Sequence, residues 1–253
     1  MERLDGKRII VIGGTSGMGE TTVDGFRDLG AKVIFTGRNE EAGKTIATRS
    51  GAVFKRQDLA EHDTVKKIID EAVFELGGLD SLFVVAALHP QPTPTENVPL
   101  DDFLRIMDAN VTGTFLANQA AFPHLKEHGG SIVNFTSATG FTGYPYHASY
   151  AASKGAVASF VRTVAVEWGK YGIRVNMIAP AIWTPMYDRA RAAMAPEQLA
   201  AHDANQKVNT PLKGRLGDPV EDYLPVAAFL ASDSSGFMTG QTFSVDGGKL
   251  FMR

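Results

Sequence analysis

Short apolar runs alternate with amphipathic stretches along nearly the whole chain. Arg8-Ile9-Ile10-Val11-Ile12 is apolar from its second residue on. That is the pattern of a strand buried on both faces of a parallel sheet, not the alternation of a half-solvated one. Similar runs predict strands at Lys32–Thr36, Ala52–Lys55, Leu82–Ala86, Ser131–Phe135, Arg174–Ile178 and Thr242–Val245. Helical stretches fall between them. Glu20–Leu29 is stopped by Gly30, Glu40–Arg49 follows, and Thr64–Leu76 carries Val65, Ile68, Ile69, Ala72 and Val73 on one face. A long helix is expected over Asp101–His124, running through Gly113, with further helices at Tyr150–Trp168 and Pro219–Leu230. Strand–helix alternation at this spacing gives right-handed crossovers, hence an α/β fold with a doubly wound, mostly parallel seven-stranded sheet and helices on both faces. No linker, composition shift or repeat divides the chain, so residues 1–253 are expected to form a single domain. The Pro-rich stretch His89–Pro94 reads as a loop after the fourth strand. Residues 185–218 are Ala-rich, carry Pro185, Pro196 and Pro211, and show no clear strand. A long insertion at the C-terminal edge of such a sheet reads as a substrate lid.

Composition narrows the function classes. At 253 residues, with 44% hydrophobic and 21% charged, the chain can bury a sizeable core unaided. It has no cysteine, which excludes disulfides, thiolate nucleophiles and Cys-ligated metal, and fits a reducing cytosol. A net charge of −3 offers no global basic field for nucleic acid or anionic lipid. Met1–Lys7 is charged and lacks the apolar core of a signal peptide, and no apolar run is long enough to span a bilayer. The expected location is cytoplasmic, with no nucleic-acid and no membrane partner.

The first strand runs into Gly13-Gly14-Thr15-Ser16-Gly17-Met18-Gly19 and then a helix. This G-x-x-x-G-x-G spacing supplies what a dinucleotide pyrophosphate needs: a tight turn, close backbone approach and close helix–strand packing. The free N–H groups and positive dipole end of the following helix would face the phosphates. The end of the second strand bears on which dinucleotide. It reads Thr36-Gly37-Arg38-Asn39, with no carboxylate to accept from a ribose 2′-hydroxyl. Arg38 can pair with a 2′-phosphate in bidentate fashion, assisted by the Ser16 hydroxyl, so NADP(H) is favoured. An arginine stacked on adenine would serve NAD(H) equally well, and NAD(H) stays open. Asp58, after the third strand, is placed to accept from the adenine amino group or to cap a loop.

Tyr150 and Lys154 stand four residues apart, on one face of a helix. An ammonium beside a phenol favours phenolate and draws its pKa down, towards proton exchange with an alcohol oxygen near neutral pH. Ser137, thirteen residues earlier, is a neutral donor for a developing oxyanion. Together with the glycine turn and Asn110, these residues resemble the short-chain dehydrogenase/reductase family in its shorter single-domain group, from Lys7 to Asp246-Gly247-Gly248. The resemblance implies a Rossmann-type sheet and a hydride exchange between a nicotinamide and a secondary alcohol or ketone. It makes Tyr150 the general acid/base. It gives Lys154 the ribose hydroxyls and Asn110 a water that links Lys154 to solvent. It places Gly13, Thr15, Ser16, Gly17, Met18, Gly19, Asp58, Leu59, Ala86 and Pro180 along the cofactor, with Ile182 and Thr184 at the carboxamide. No metal is implied. Tetramers form in this family through the fourth and fifth helices and the C-terminal strand, here Asp101–His124, Tyr150–Trp168 and the end of the chain.

Three departures accompany the resemblance. Val84-Val85-Ala86-Ala87 replaces the usual Asn-Asn-Ala-Gly, so a buried backbone group must find another partner. Ile12 replaces the usual Thr before the glycines, and Pro180-Ala181 replaces Pro-Gly. The loops at 88–98, 139–148 and 183–215 offer Phe141, Tyr144, Tyr146, Trp183, Met186, Tyr187 and Met194, with His89 and His147. That mixture suggests an aromatic-walled pocket for a small-molecule ketone or alcohol. The expected activity is that of an NADP(H)-dependent carbonyl reductase or alcohol dehydrogenase. The rivals are an NAD-dependent dehydrogenase of a diol or cyclic alcohol, a non-catalytic nucleotide-binding regulatory protein, and an enoyl reductase. The four-residue Tyr–Lys spacing counts against the last of these.

Overall fold

The computed structural model describes residues 1–249. The last four positions of the expected 1–253 domain, and with them the end of the chain named for association, lie outside the described residues. Seven parallel strands form one sheet in the order β3-β2-β1-β4-β5-β6-β7. They are β1 (Arg8–Ile12), β2 (Lys32–Gly37), β3 (Val53–Arg56), β4 (Ser81–Val84), β5 (Gly130–Phe135), β6 (Ile173–Pro180) and β7 (Thr242–Val245). Central Ile10 pairs with Ile34 on one side and Leu82 on the other. The chain winds outward from β1 through β2 to β3, then returns to β4 and winds the other way. The crevice at the C-terminal ends of β1 and β4 is therefore the topological switch point, where such sheets bind ligands.

The uniformly apolar strands are explained by cover on both faces. Ile9 and Val11 point into one core layer with Phe35, Phe83 and Val133, closed by Val23 and Phe26 of α1 (Gly17–Asp28), Ile46 of α2 (Glu40–Ser50) and Leu224 of α9 (Leu224–Ala231). Ile10 and Ile12 point into the other with Ile34, Leu82 and Ile132. That layer is closed by Val65 of α3 (His62–Leu76), Ala117 of α5 (Gly113–Leu125) and Val157 of α6 (Ala148–Trp168).

Two expectations need correction. The helix expected over Asp101–His124 is two: α4 (Leu100–Met107) and α5, joined through a wide π turn at Asp108–Thr112. The buried Asn110 side chain in that turn is bonded sideways to Leu88, and such bulges gather at functional sites. Residues 185–218 carry two helices that the irregular, Pro-punctuated composition concealed, α7 (Pro185–Ala192) and α8 (Pro196–Asn209). Proline opens each one at its first turn, where its missing N–H costs nothing.

Candidate active site

A cleft of about 560 Å³ runs from the β1–α1 turn to Tyr150 and Lys154. Its floor is built by glycines that nothing larger could replace. Gly13 has φ +91°, and a Cβ there would lie 2.6 Å from the Ala86 nitrogen. A Cβ on Gly19 would lie 2.0 Å from the Gly13 oxygen. The Gly13 and Gly14 N–H groups donate to the Thr36 carbonyl at 2.9 and 2.8 Å, which locks the turn to β2. Ser16 precedes α1 with an extended backbone and makes no side-chain cap, so the helix's first N–H groups are left for a ligand.

Thr15, Ser16, Gly17, Met18 and Arg38 line the cleft, as do Asp58, Leu59, Ala86, Pro180 and Thr184. Ile182 does not: its side chain is buried in the core and it bridges to Gly217. The turn that brings Thr184 to the cleft rotates Ile182 inward. Thr184 also caps α7, its Oγ1 accepting from the Tyr187 N–H at 3.4 Å. Arg38 is largely exposed and lies 3.7 Å from the Asp58 carboxylate, which also accepts from the Ala60 N–H at 3.0 Å. Sequence reasoning missed two polar residues in the same wall. Gln57 and Thr36 are buried to within 2% and 1%, and their side-chain polar atoms find no partner among the described residues. Buried orphans of this kind mark a place where a polar ligand is accommodated. The glycine cradle, the uncapped helix end and these open polar atoms all fit a dinucleotide.

At the other end of the cleft, α6 presents Tyr150 and Lys154 one turn apart. Thr136, directly after β5, donates its hydroxyl to the Lys154 carbonyl at 2.9 Å and pins α6 to the sheet. A Cβ on Gly140 would lie 2.8 Å from the Gly155 nitrogen, so glycine lets the β5–α6 loop close onto the helix. The Lys154 ammonium is buried, donates to the Phe135 carbonyl at 2.8 Å, and stands 5.6 Å from the Tyr150 ring centre. Ser137 Oγ accepts from the Thr139 N–H at 3.3 Å and the Thr139 hydroxyl at 3.0 Å. Its own O–H is thereby left to donate to the Tyr150 phenol.

The electrostatics correct one expectation. Burial pushes the Tyr150 phenol up to about 12, with the Ser137 hydrogen bond opposing. Burial lowers Lys154 to about 8. In the ligand-free protein, desolvation therefore outweighs the expected pull of Lys154 on the phenol. The Asn110 side chain is bonded to protein groups. Its Oδ1 accepts from the Leu88 N–H at 2.7 Å, while Nδ2 donates to the Leu88 carbonyl at 2.9 Å and to Ser153 Oγ at 3.1 Å. Ser153 in turn donates to the Tyr150 carbonyl at 2.8 Å. Asn110 thus clamps the loop after β4 onto the helix that carries Tyr150.

The altered segment around Val84 has found its partners. The Ile12 carbonyl accepts from the Val85 and Ala86 N–H groups at 2.9 and 3.0 Å. On the neighbouring strand, Asn134 pairs in register with Val84, and its amide exchanges two hydrogen bonds with Asn118 of α5, at 2.8 and 3.0 Å.

A nucleotide cleft at the switch point, ending in a Ser, Tyr and Lys cluster, defines a dinucleotide-dependent oxidoreductase site. Residues 13–249 match the family model described as Enoyl-(Acyl carrier protein) reductase. The chain is 39% identical to a 2,5-dichloro-2,5-cyclohexadiene-1,4-diol dehydrogenase of Sphingobium indicum, covering 98% of each protein. It is 36% identical to an L-fucose dehydrogenase of Oryctolagus cuniculus, over 97% of this chain and 86% of that one. Among solved structures, levodione reductase superposes with a TM-score of 0.89 at 29% identity, over 98% of both chains. The chain belongs to the short-chain dehydrogenase/reductase family and is an NAD(P)-dependent oxidoreductase. No helix among the described residues is long and apolar enough to cross a membrane.

Proposed function

We propose that this protein interconverts a secondary alcohol and a ketone, with Tyr150 as general acid/base and NADP(H) as the favoured cofactor. The observation that carries the reading is the convergence of Tyr150 and Lys154 at one end of the nucleotide cleft, with the Ser137 hydroxyl hydrogen-bonded to the Tyr150 phenol. When bound, the nicotinamide supplies the hydride exchange. The protein's residues handle the oxygen. The Ser137 hydroxyl donates to the carbonyl oxygen as charge develops there. Tyr150, which burial keeps protonated at neutral pH, delivers the proton in reduction and takes it back in oxidation. Lys154, held by Phe135, brings positive charge beside the phenol below about pH 8. Gly13–Gly19 and the α1 N-terminus would hold the pyrophosphate, and Arg38 a 2′-phosphate.

A second reading, NAD-dependent oxidation of a diol or cyclic alcohol, draws on two observations. Asp58 stands 3.7 Å from Arg38 and offsets its charge, and one relative is named for a diol. Enoyl reduction, the activity in the family model's description, is disfavoured by the four-residue Tyr–Lys spacing. A panel of cyclic alcohols, ketones and enoyl thioesters, assayed with each cofactor by absorbance of the reduced nicotinamide, decides among them. Turnover confined to enoyl thioesters, or none at all, overturns the proposal.

We also read α7 and α8 as a lid. Met186 and Arg189 of α7 line the cleft, and the two helices are tied by Arg191, which pairs with Asp203 and stacks over Trp183 at 5.1 Å. Self-association through α5 and α6 is the expected assembly. Phe115 and Phe160 form an edge-on pair there, with Phe115 still 42% exposed. Light scattering of the purified protein tests it, and a monomer overturns it.

A further inference from the structure

Two histidines stand in a row from the Tyr150 ring. The His89 ring centre is 4.5 Å from that of Tyr150, and the His147 ring centre is 5.2 Å from that of His89. His89 Nδ1 is 3.0 Å from the Pro90 carbonyl, and His147 Nδ1 is 2.8 Å from the Pro145 carbonyl. A peptide carbonyl only accepts, so in both rings the Nδ1 must carry the proton. In the neutral imidazole this makes each Nε2 an acceptor, and neither Nε2 has a hydrogen-bond partner among the described residues. Partial desolvation of the ring, helped by the neighbouring His147 and Lys154, holds His89 below the ordinary imidazole range.

The backbone is arranged to keep this row in place. Asn110 clamps Leu88 on both backbone groups, which fixes the residue before His89. Tyr146, just before His147, has φ +67°, a left-handed conformation that is strained for a non-glycine residue. The strain does not serve to bury the Tyr146 ring, which is 58% exposed. It turns the Tyr146 carbonyl to accept from the Thr93 N–H at 2.9 Å, tying the loop of His89 to the loop of His147.

We propose that His89 and His147 form an acceptor pair that selects a neutral substrate bearing a hydroxyl next to the reacting carbinol, a vicinal diol or cyclic polyol. The inference rests on the alcohol–ketone reading above and specifies its substrate class. A hydroxyl flanking the carbinol donates to His89, and the next one along the ring reaches His147. A simple ketone would instead cover these acceptors and leave them unpaired. Sites built to hydrogen-bond a substrate hydroxyl discriminate against the analogue lacking it for that reason.

The test compares kcat/KM for trans-1,2-cyclohexanediol with that for cyclohexanol in the full-length protein, with both oxidised cofactors. The expected wild-type ratio favours the diol by about tenfold or more. His89→Phe should bring this ratio towards one, and His147→Phe should do the same to the ratio of cyclohexane-1,2,3-triol to the 1,2-diol, while His89→Gln and His147→Gln, whose amide oxygen can still accept, should keep most of each. A wild-type ratio near one overturns the inference alone, whatever the variants do. So does an unchanged ratio in both Phe variants with wild-type melting temperatures. Absence of turnover on either alcohol and on the matching ketones overturns the proposed function itself, and the inference with it.

Discussion

Lys154 gives its hydrogen bond to Phe135, not to Tyr150: the ammonium is 2.8 Å from the Phe135 carbonyl oxygen, while the Tyr150 ring centre is 5.6 Å away. One backbone acceptor does not replace the hydration of a buried ammonium, and its pKa falls from the ordinary 10.5 to about 8. The sign for stability follows from proton counts. Between about pH 8 and 10.5 the unfolded chain binds this proton and the native chain does not, so stability rises with pH across that window. The gain is roughly 3 kcal/mol. Tyr150, raised to about 12, acts oppositely but only above pH 10, where the native state retains a proton that the unfolded state has lost. The expected outcome is that ligand-free wild type gains thermal stability relative to Lys154→Met from pH 7.5 to 9.5. A difference between the two that stays constant with pH would contradict the buried-ammonium account.

Tyr150→Phe removes the proton carrier and keeps the ring that stacks on His89. Turnover in both directions should fall by roughly 10²- to 10⁴-fold, the usual worth of general acid–base catalysis. Melting temperature and cofactor affinity, followed by quenching of intrinsic fluorescence, should stay near wild type. Retained turnover would refute Tyr150 as the proton carrier.

The glycine turn was readable because its need is local: a strand, a turn without room for Cβ, and a helix follow each other in sequence. Tyr150 and Lys154 were readable because helical spacing puts them on one face. The sheet's double winding followed from strands too apolar to be solvated on either side. What could not be read depends on contacts distant in sequence. Asn110 looks like any helical amide until Leu88 is folded beside it, 22 residues away in sequence. The break in the Asp101–His124 helix has the same origin, since a π turn satisfies its bonds through neighbours that local propensity does not see. The phenol's pKa was misjudged because charge proximity is visible in spacing, whereas desolvation is a property of the packed core.

Arg38 is the positive side chain at the adenosine end of the cleft in a position to meet a 2′-phosphate, and it shares that space with Asp58 at 3.7 Å. Arg38→Ala should raise KM for NADPH by about tenfold or more and leave KM for NADH within a few-fold, since a charge-assisted bidentate pair is lost only for the phosphorylated ribose. Asp58→Asn should move the preference the other way, towards NADPH, by releasing Arg38. Equal effects of Arg38→Ala on both cofactors would mean that the guanidinium stacks on adenine and does not read the phosphate.

The paired amides of Asn118 and Asn134 allow the altered core of the sheet to be tested directly. Both residues are fully buried, and each amide donates to the other's oxygen. Asn118 also donates to the Thr114 carbonyl at 2.8 Å. Asn134→Val leaves the Asn118 oxygen unpaired in an apolar layer, and Asn118→Leu does the same to Asn134. Each should cost about 1–3 kcal/mol, the penalty for a stranded buried polar group. Removing both partners strands neither amide, so Asn118→Leu/Asn134→Val should cost clearly less than the sum, with a coupling of about 0.5–3 kcal/mol. Urea unfolding of the four proteins measures this, provided the slopes agree. Strict additivity would show that the amides do not act as a pair. Beyond the sheet ladder, the bracing of the Val84–Ala86 segment would then rest on the Ile12 carbonyl.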